Sequence, residues 1–193
     1  MTDKLDNLKV LNQNEVNELY EMFSHLVSML NKYAIKYACS GGTLLGSIRH
    51  GGLIPWDDDV DVTIEKEDIP LMLHLKWIFT DGDKYQLVRV GKYMKLKKDN
   101  MFIDIFIIEK GVFPQQHYQK YNFNEDEYYP LQESMFGDIQ VKIPHKSIEY
   151  LNRTFPGWQD EAFIYNHKSK GKKKMTLTEE MRLPYLPCVK EDI

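Results

Sequence analysis

The chain has 193 residues, 42% hydrophobic and 12% aromatic, with 25 basic and 29 acidic side chains and a formal net charge of -4. That is enough apolar material for one domain with a real core, and it argues against disorder. A mildly acidic chain carries no global field for nucleic acid, so an anionic substrate must be met by local basic groups or by a metal.

The first residues, MTDKLDNLKVLNQNEV, carry acids and no apolar run, so they are not expected to act as a signal peptide. No window approaches the ~20 apolar residues of a membrane span, so the expectation is a cytoplasmic protein without a transmembrane segment. Cys39 and Cys188 lie far apart in sequence and offer neither a disulfide framework nor metal-ligand spacing, as befits a reducing compartment.

Asn12 followed by Glu15 is a capping box with Asn in place of Ser or Thr. Val16, Leu19, Tyr20, Phe23, Val27, Leu30 and Ala34 then recur at helical spacing and predict an amphipathic helix to about Tyr33. A short strand over 35–39 leads to Gly41 and Gly42, which permit a tight turn before a short helix carrying Thr43, Leu44, Leu45 and Ile48. Val60, Val62 and Ile64 alternate with Asp59, Asp61 and Thr63, the period of a strand with one apolar and one polar face. Pro70 opens a largely buried helix through Phe79. Two β-prone runs, 85–90 and 92–97, precede MFIDIFII at 101–108, a central strand whose only polar residue is Asp104. Residues 113–130 read as an ordered loop or short helix, 134–144 as a strand pair around Gly137-Asp138, and 147–155 as a helix. The Lys168 to Lys174 run has no apolar periodicity and is expected to be a mobile loop, with an extended end after it. One domain over 1–193 is expected, with a C-terminal extension from about 156.

The chemistry concentrates in residues 38–65. Four aspartates in five positions, Asp57, Asp58, Asp59 and Asp61, repel one another by roughly 4 kcal/mol per pair at 4 Å unless a cation lies among them. Asp59 and Asp61, two apart on a strand, leave the same face roughly 6–7 Å apart. Their oxygens suit Mg²⁺ or Mn²⁺. Asp104 is the natural third ligand, because a lone carboxylate in an apolar strand is costly unless paired or on a metal. Asp57 is a further candidate ligand. Ser40, Gly41, Gly42 and Thr43 set backbone N–H groups and two hydroxyls at a helix N-terminus, a site for phosphate. Arg49 is placed to reach a phosphate bidentately.

GGTLLGSIRHGGLIPWDDDVDV, with FIDIF at 102–106 and more weakly FGDIQVKIP at 136–144, resembles the signature of the LicD family, which includes the fukutin and fukutin-related proteins. The resemblance implies an α/β (α+β) fold of the nucleotidyltransferase type, a mixed β-sheet with flanking helices. It also implies a metal-dependent transferase that moves a phospho-alcohol, such as phosphocholine or ribitol phosphate, from a CDP-activated donor to a glycan hydroxyl. Asp59, Asp61 and Asp104 then hold the metals, and Asp104 takes the acceptor's proton. The rival readings are transfer of a nucleoside monophosphate from an NTP to a small hydroxylated acceptor, a sugar-nucleotide glycosyltransferase, and an inactive nucleotide- or glycan-binding module. His50 reads as a hydrogen-bonding loop residue and Trp56 as loop packing. Lys95 and Lys97 read as a solvated edge face or a phosphate lining. His167 with the lysines after it reads as solvated loop, and the tyrosines of 121–129 as packing or a sugar platform.

Overall fold

The computed structural model describes residues 8–109, 125–166 and 171–188. The capping box forms as expected: Asn12 Oδ1 accepts from the N–H groups of Asn14 and Glu15, and the Glu15 carboxylate accepts from the Asn12 N–H. It starts helix α1 (Gln13–Lys32), whose stripe of Val16, Leu19, Phe23, Leu26, Val27 and Leu30 is fully buried.

After α1 come β1 (Tyr37–Cys39), α2 (Gly41–Arg49), β2 (Val60–Glu65), α3 (Ile69–His74), α4 (Lys76–Phe79), β3 (Gln86–Val90), β4 (Tyr93–Lys98) and β5 (Met101–Ile108). The five strands form one mixed sheet in the order β1-β2-β5-β4-β3. β2 and β5 run parallel, while the other neighbours are antiparallel. Val60 pairs with Ile103 and Val62 with Ile105, and β4 sets Leu96 and Met94 beside those two isoleucines. All six are buried, forming the apolar face against which α1 packs. The residues between them therefore leave on the opposite face. On that face Asp61, Asp104 and Lys95 stand side by side across three strands.

α5 (Glu125–Tyr128), the hairpin β6 (Gln132–Phe136) and β7 (Ile139–Ile143), α6 (Ser147–Thr154), β8 (Glu161–Asn166) and β9 (Gly171–Thr176) complete the fold. The strand pair expected around Gly137 forms, with Gly137 at φ +61° and Phe136 packed on the rings of Tyr20 and Phe23. Tyr128 is buried and hydrogen-bonds the Thr63 hydroxyl at 2.6 Å, so it serves as packing beneath the sheet.

Two expectations are corrected. The segment opened by Pro70 is two short helices rather than one buried helix, and Leu71, Leu73 and Trp77 are exposed. Its apolar residues recur largely at every second position, a spacing that a helix spreads around its circumference, so Ile69, Met72 and Phe79 are buried and Leu75 packs only partly against the core. The second correction is the lysine run, whose end forms β9, paired antiparallel with β8. Buried Ala162 and partly buried Met175, partners in that ribbon, anchor it, while Lys174 pairs with Glu161 at 2.6 Å. His167 to Lys170, and Tyr121 with the residues before it back to 110, lie outside the described residues. Among the described residues no helix is long and apolar enough to cross a membrane.

Candidate active site

The glycine turn and β2 are built around Asp61. The backbone C=O of Asp61 accepts from the Ser40 N–H at 3.1 Å, and its N–H donates to Thr43 Oγ1 at 2.7 Å. The Gly42 N–H donates to the Asp61 carboxylate. The turn expected to cradle phosphate thus already grips an aspartate from three sides. Its glycines are required by that closeness. A Cβ on Gly41 would lie 2.5 Å from Asp61 Oδ2, at a φ of +53°, and one on Gly42 would strike Asp57 Oδ2. Ser40 Oγ is buried and has no hydrogen-bond partner among the described residues.

Carboxylate oxygens of Asp59, Asp61 and Asp104 lie within 4.8 Å of one another, and those of Asp57, Asp58 and Asp59 do likewise. The electrostatics follow from that crowding. Burial raises the Asp61 carboxyl well above its ordinary range, and the charges of Asp59, Asp57 and Asp104 raise it further. Asp57 is raised in the same way, by burial and then by Asp59 and Asp58, with Arg49 opposing. Asp104 is raised by burial, against the pull of Lys95. Closely set hard oxygen donors that resist holding their charges unaided fit a divalent cation of the Mg²⁺ or Mn²⁺ kind. Asp59 belongs to both groups, so two cations can share it.

Lys95 is neither a solvated edge residue nor a free lining group. Its Nζ lies 2.8 Å from Asp104 Oδ1 and over the ring of Phe102, 3.5 Å from the centroid. Arg49 is partly committed elsewhere, with Nη1 donating to the carbonyls of Trp158 and Glu161 at 2.8 and 3.1 Å. Burial and the nearby Arg182 lower its pKa to about 10. His50 behaves as read: it is buried, accepts from Arg49 Nε at Nδ1, and its Nε2–H bonds the Met181 carbonyl at 3.0 Å. Trp56 is buried beneath Arg49 and edge-on to His50. These contacts tie α2 to the C-terminal segment. Between them lies a cleft of about 190 Å³ beside Gly42, Asp57 and Asp58, walled by Leu45, Trp56, Phe155 and Phe163. Sequence reasoning overlooked Phe155 and Phe163, whose only signal is two aromatics flanking a polar turn.

A mixed α/β sheet that brings three carboxylates to a glycine turn defines a domain of the nucleotidyltransferase class. Residues 34–146 match the family model described as LicD/FKTN/FKRP, nucleotidyltransferase domain, and the chain belongs to that family. It is 34% identical over 188 residues to an uncharacterized protein of Rickettsia prowazekii, covering 88% of this chain and 69% of that one. It is 30% identical over 102 residues to the lipopolysaccharide cholinephosphotransferase LicD of Haemophilus influenzae, covering 42% of this chain and 38% of that one. To the human ribitol 5-phosphate transferase FKRP it is 27% identical over 155 residues, covering 72% of this chain and 31% of that one. The chain therefore spans well under half the length of either named transferase.

Proposed function

We propose that this chain is a divalent-metal-dependent transferase that moves a phospho-alcohol from a CDP-activated donor to a hydroxyl of a glycan or small hydroxylated acceptor. The observation that carries the reading is the convergence of Asp59, Asp61 and Asp104 on one point against the Gly41-Gly42 turn. The names of the family members above supply the choice of phospho-alcohol.

Asp59 and Asp61 would hold Mg²⁺ or Mn²⁺ together with Asp104, and Asp57 would join through the second group. Bound metal supplies charge neutralisation of the diphosphate. The first turn of α2, with the Ser40 hydroxyl, meets the donor's phosphates, while Thr43 acts by holding Asp61 in place. Arg49 lines the cleft beside that turn. The acceptor oxygen attacks the phosphorus bearing the alcohol, and the P–O bond to CMP breaks, with CMP taking the bonding pair. The hydroxyl proton passes to a carboxylate oxygen of Asp104, a base whose affinity for protons burial has raised. The cleft walled by Trp56, Phe155 and Phe163 takes one end of the donor out of water.

Thermal-shift measurements with CDP-choline, CDP-ribitol, CTP, ATP and UDP-glucose, with and without Mn²⁺, test this. A CDP-alcohol should raise the melting temperature only when Mn²⁺ is present, and CMP should be released when an acceptor is added. Selective stabilisation by ATP or CTP would assign the chain to nucleotidyl transfer instead. Stabilisation without CMP release from any acceptor would leave a binding module.

A further inference from the structure

The sheet face that carries Asp61 and Asp104 continues beyond that pair. Along β5 it presents Phe102 and Phe106, and the register sets Lys97, Lys95 and Tyr93 of β4 opposite Phe102, Asp104 and Phe106. Val88 of β3 stands beyond Lys95. The two sides of this half of the sheet are used differently. Against α1, Leu87, Met94, Leu96, Ile103 and Ile105 are all buried. On the other side Val88, Tyr93, Phe102 and Phe106 each stay partly exposed. Over β2 that same side is covered, by α2 and by Tyr128 bonded to Thr63. Aromatic rings left half-open beside a reactive carboxylate mark a ligand surface rather than core.

The groups on this surface have different commitments. Phe106 and Tyr93 stack across the strands, their centroids 5.6 Å apart and their planes at 29°, to make one apolar step. Phe102 carries the Lys95 ammonium over its ring, and that ammonium is held by Asp104 at 2.8 Å. Lys97 has no such tie. It is half-buried, and among the described residues its ammonium has no ion-pair or hydrogen-bond partner. A cation so placed favours an anionic ligand, because a charge-assisted hydrogen bond replaces the hydration that burial removes. Alternate residues of a strand lie about 6.7 Å apart, so the aromatic step and Lys97 flank Asp104 with about 13 Å between them. One sugar ring and the length of a lysine side chain fill that gap.

The direction of approach follows from the order across the sheet. The glycine turn holds the β2 side of the carboxylate row, and β4 lies on its other side. In-line displacement brings the attacking oxygen to phosphorus from the side away from the leaving group. With the donor's phosphates on the turn, that side is the surface over β5 and β4.

We propose that this surface is the acceptor subsite and that it takes a negatively charged sugar. The ring lies against the Phe106–Tyr93 step, its carboxylate or phosphate meets Lys97, and a hydroxyl reaches Asp104. The C–H face of a sugar suits the electron-rich face of an aromatic ring, and Lys97 selects for charge. The proposal rests on the transferase reading above and narrows its acceptor to an anionic glycan.

Saturation-transfer NMR and calorimetry on the whole chain test it, with glucose, glucuronate and glucose 6-phosphate as probes. Each is measured in Mg²⁺ alone and again with CDP, which fills the donor's site. Wild type should bind at least one charged probe about tenfold more tightly than glucose, the worth of one hydrogen bond to a charged group, and CDP should not displace it. Which of the two it prefers tells a carboxylate ligand from a phosphate. Lys97→Met should reduce the charged probes to the level of glucose, and Lys97→Arg should keep the preference. Tyr93→Leu and Phe106→Leu, which stay apolar, should weaken all three probes. CDP affinity should be unchanged in every variant. Charged probes that bind no better than glucose, or a preference that survives in Lys97→Met, would overturn the proposal and leave the metal-dependent reading standing. Displacement by CDP would also overturn it, by putting the probes on the donor's phosphate site. Failure of CDP to bind in Mg²⁺ would instead sink the transferase reading, and the acceptor role with it, whatever the sugars do.

Discussion

Asp61 on β2 and Asp104 on β5 are register partners across a parallel strand pair, with Gly42 donating its N–H to the first and Lys95 paired to the second. One acid is thus gripped by a turn and the other by a cation, and the consequences differ.

Asp61→Asn should separate stability from function. The Asp61 carboxyl is held above its ordinary value of 3.8 in the folded chain, so the native state favours the protonated form. Native stability of the metal-free protein is then highest below 3.8 and falls as pH climbs from there through the raised value. In urea titrations across this range the variant should show a flatter dependence and be more stable than wild type at pH 7 without metal. Its Mn²⁺ affinity should fall at least tenfold.

Asp104→Asn removes the proposed base and leaves the glycine turn untouched. Turnover should drop by about 10²- to 10⁴-fold, while CDP-alcohol binding at saturating Mn²⁺, held through Asp59, Asp61 and the turn, is partly retained. Steady-state kinetics beside calorimetric binding separates the two, and wild-type turnover would refute Asp104 as the base.

Gly42→Ala drives a methyl group into the Asp57 carboxylate, and Gly41→Ala drives one into Asp61 while imposing a positive φ on a residue with a Cβ. The backbone part of Gly41→Ala alone should cost about 1–2 kcal/mol. Both variants should lose Mn²⁺ affinity, because each displaces a carboxylate. A Gly42→Ala protein with unchanged affinity would exclude Asp57 from the ligand set.

His50→Leu tests the clamp between α2 and the C-terminal segment. Burial and then the Arg49 charge hold the imidazole neutral, lowering its pKa from 6.5 to about 3. A group depressed in the folded state costs stability as pH falls from 6.5 toward 3, since the unfolded chain takes up the proton first. The variant should lose that acid slope. It should also lose about 1–3 kcal/mol at pH 7, because the Arg49 Nε and the Met181 carbonyl lose their partner.

Much of the site is legible in the letters because its rules are local. The alternation of Val60, Val62 and Ile64 with Asp59 and Asp61 follows from the two-residue period of a strand, and paired glycines before a short helix announce a turn closely approached by other groups. The same periodicity read as a helix misplaced Leu71, Leu73 and Trp77. The lysines of β9 concealed a strand, since a two-stranded ribbon needs few apolar anchors.

The sequence by itself determined which face of β2 is polar, that Asp104 is the one polar residue of β5, where the chain turns, and which family it belongs to. The tertiary structure alone decided that Asp61 and Asp104 meet in register, that Lys95 stands next in the row, and that Arg49 spends a nitrogen on the carbonyls of Trp158 and Glu161. The reason is physical. Side-chain direction is set by each residue's own backbone, whereas register between strands is set by the packing of all the apolar partners at once, and a slip of one residue would send every acid in the row to the other face.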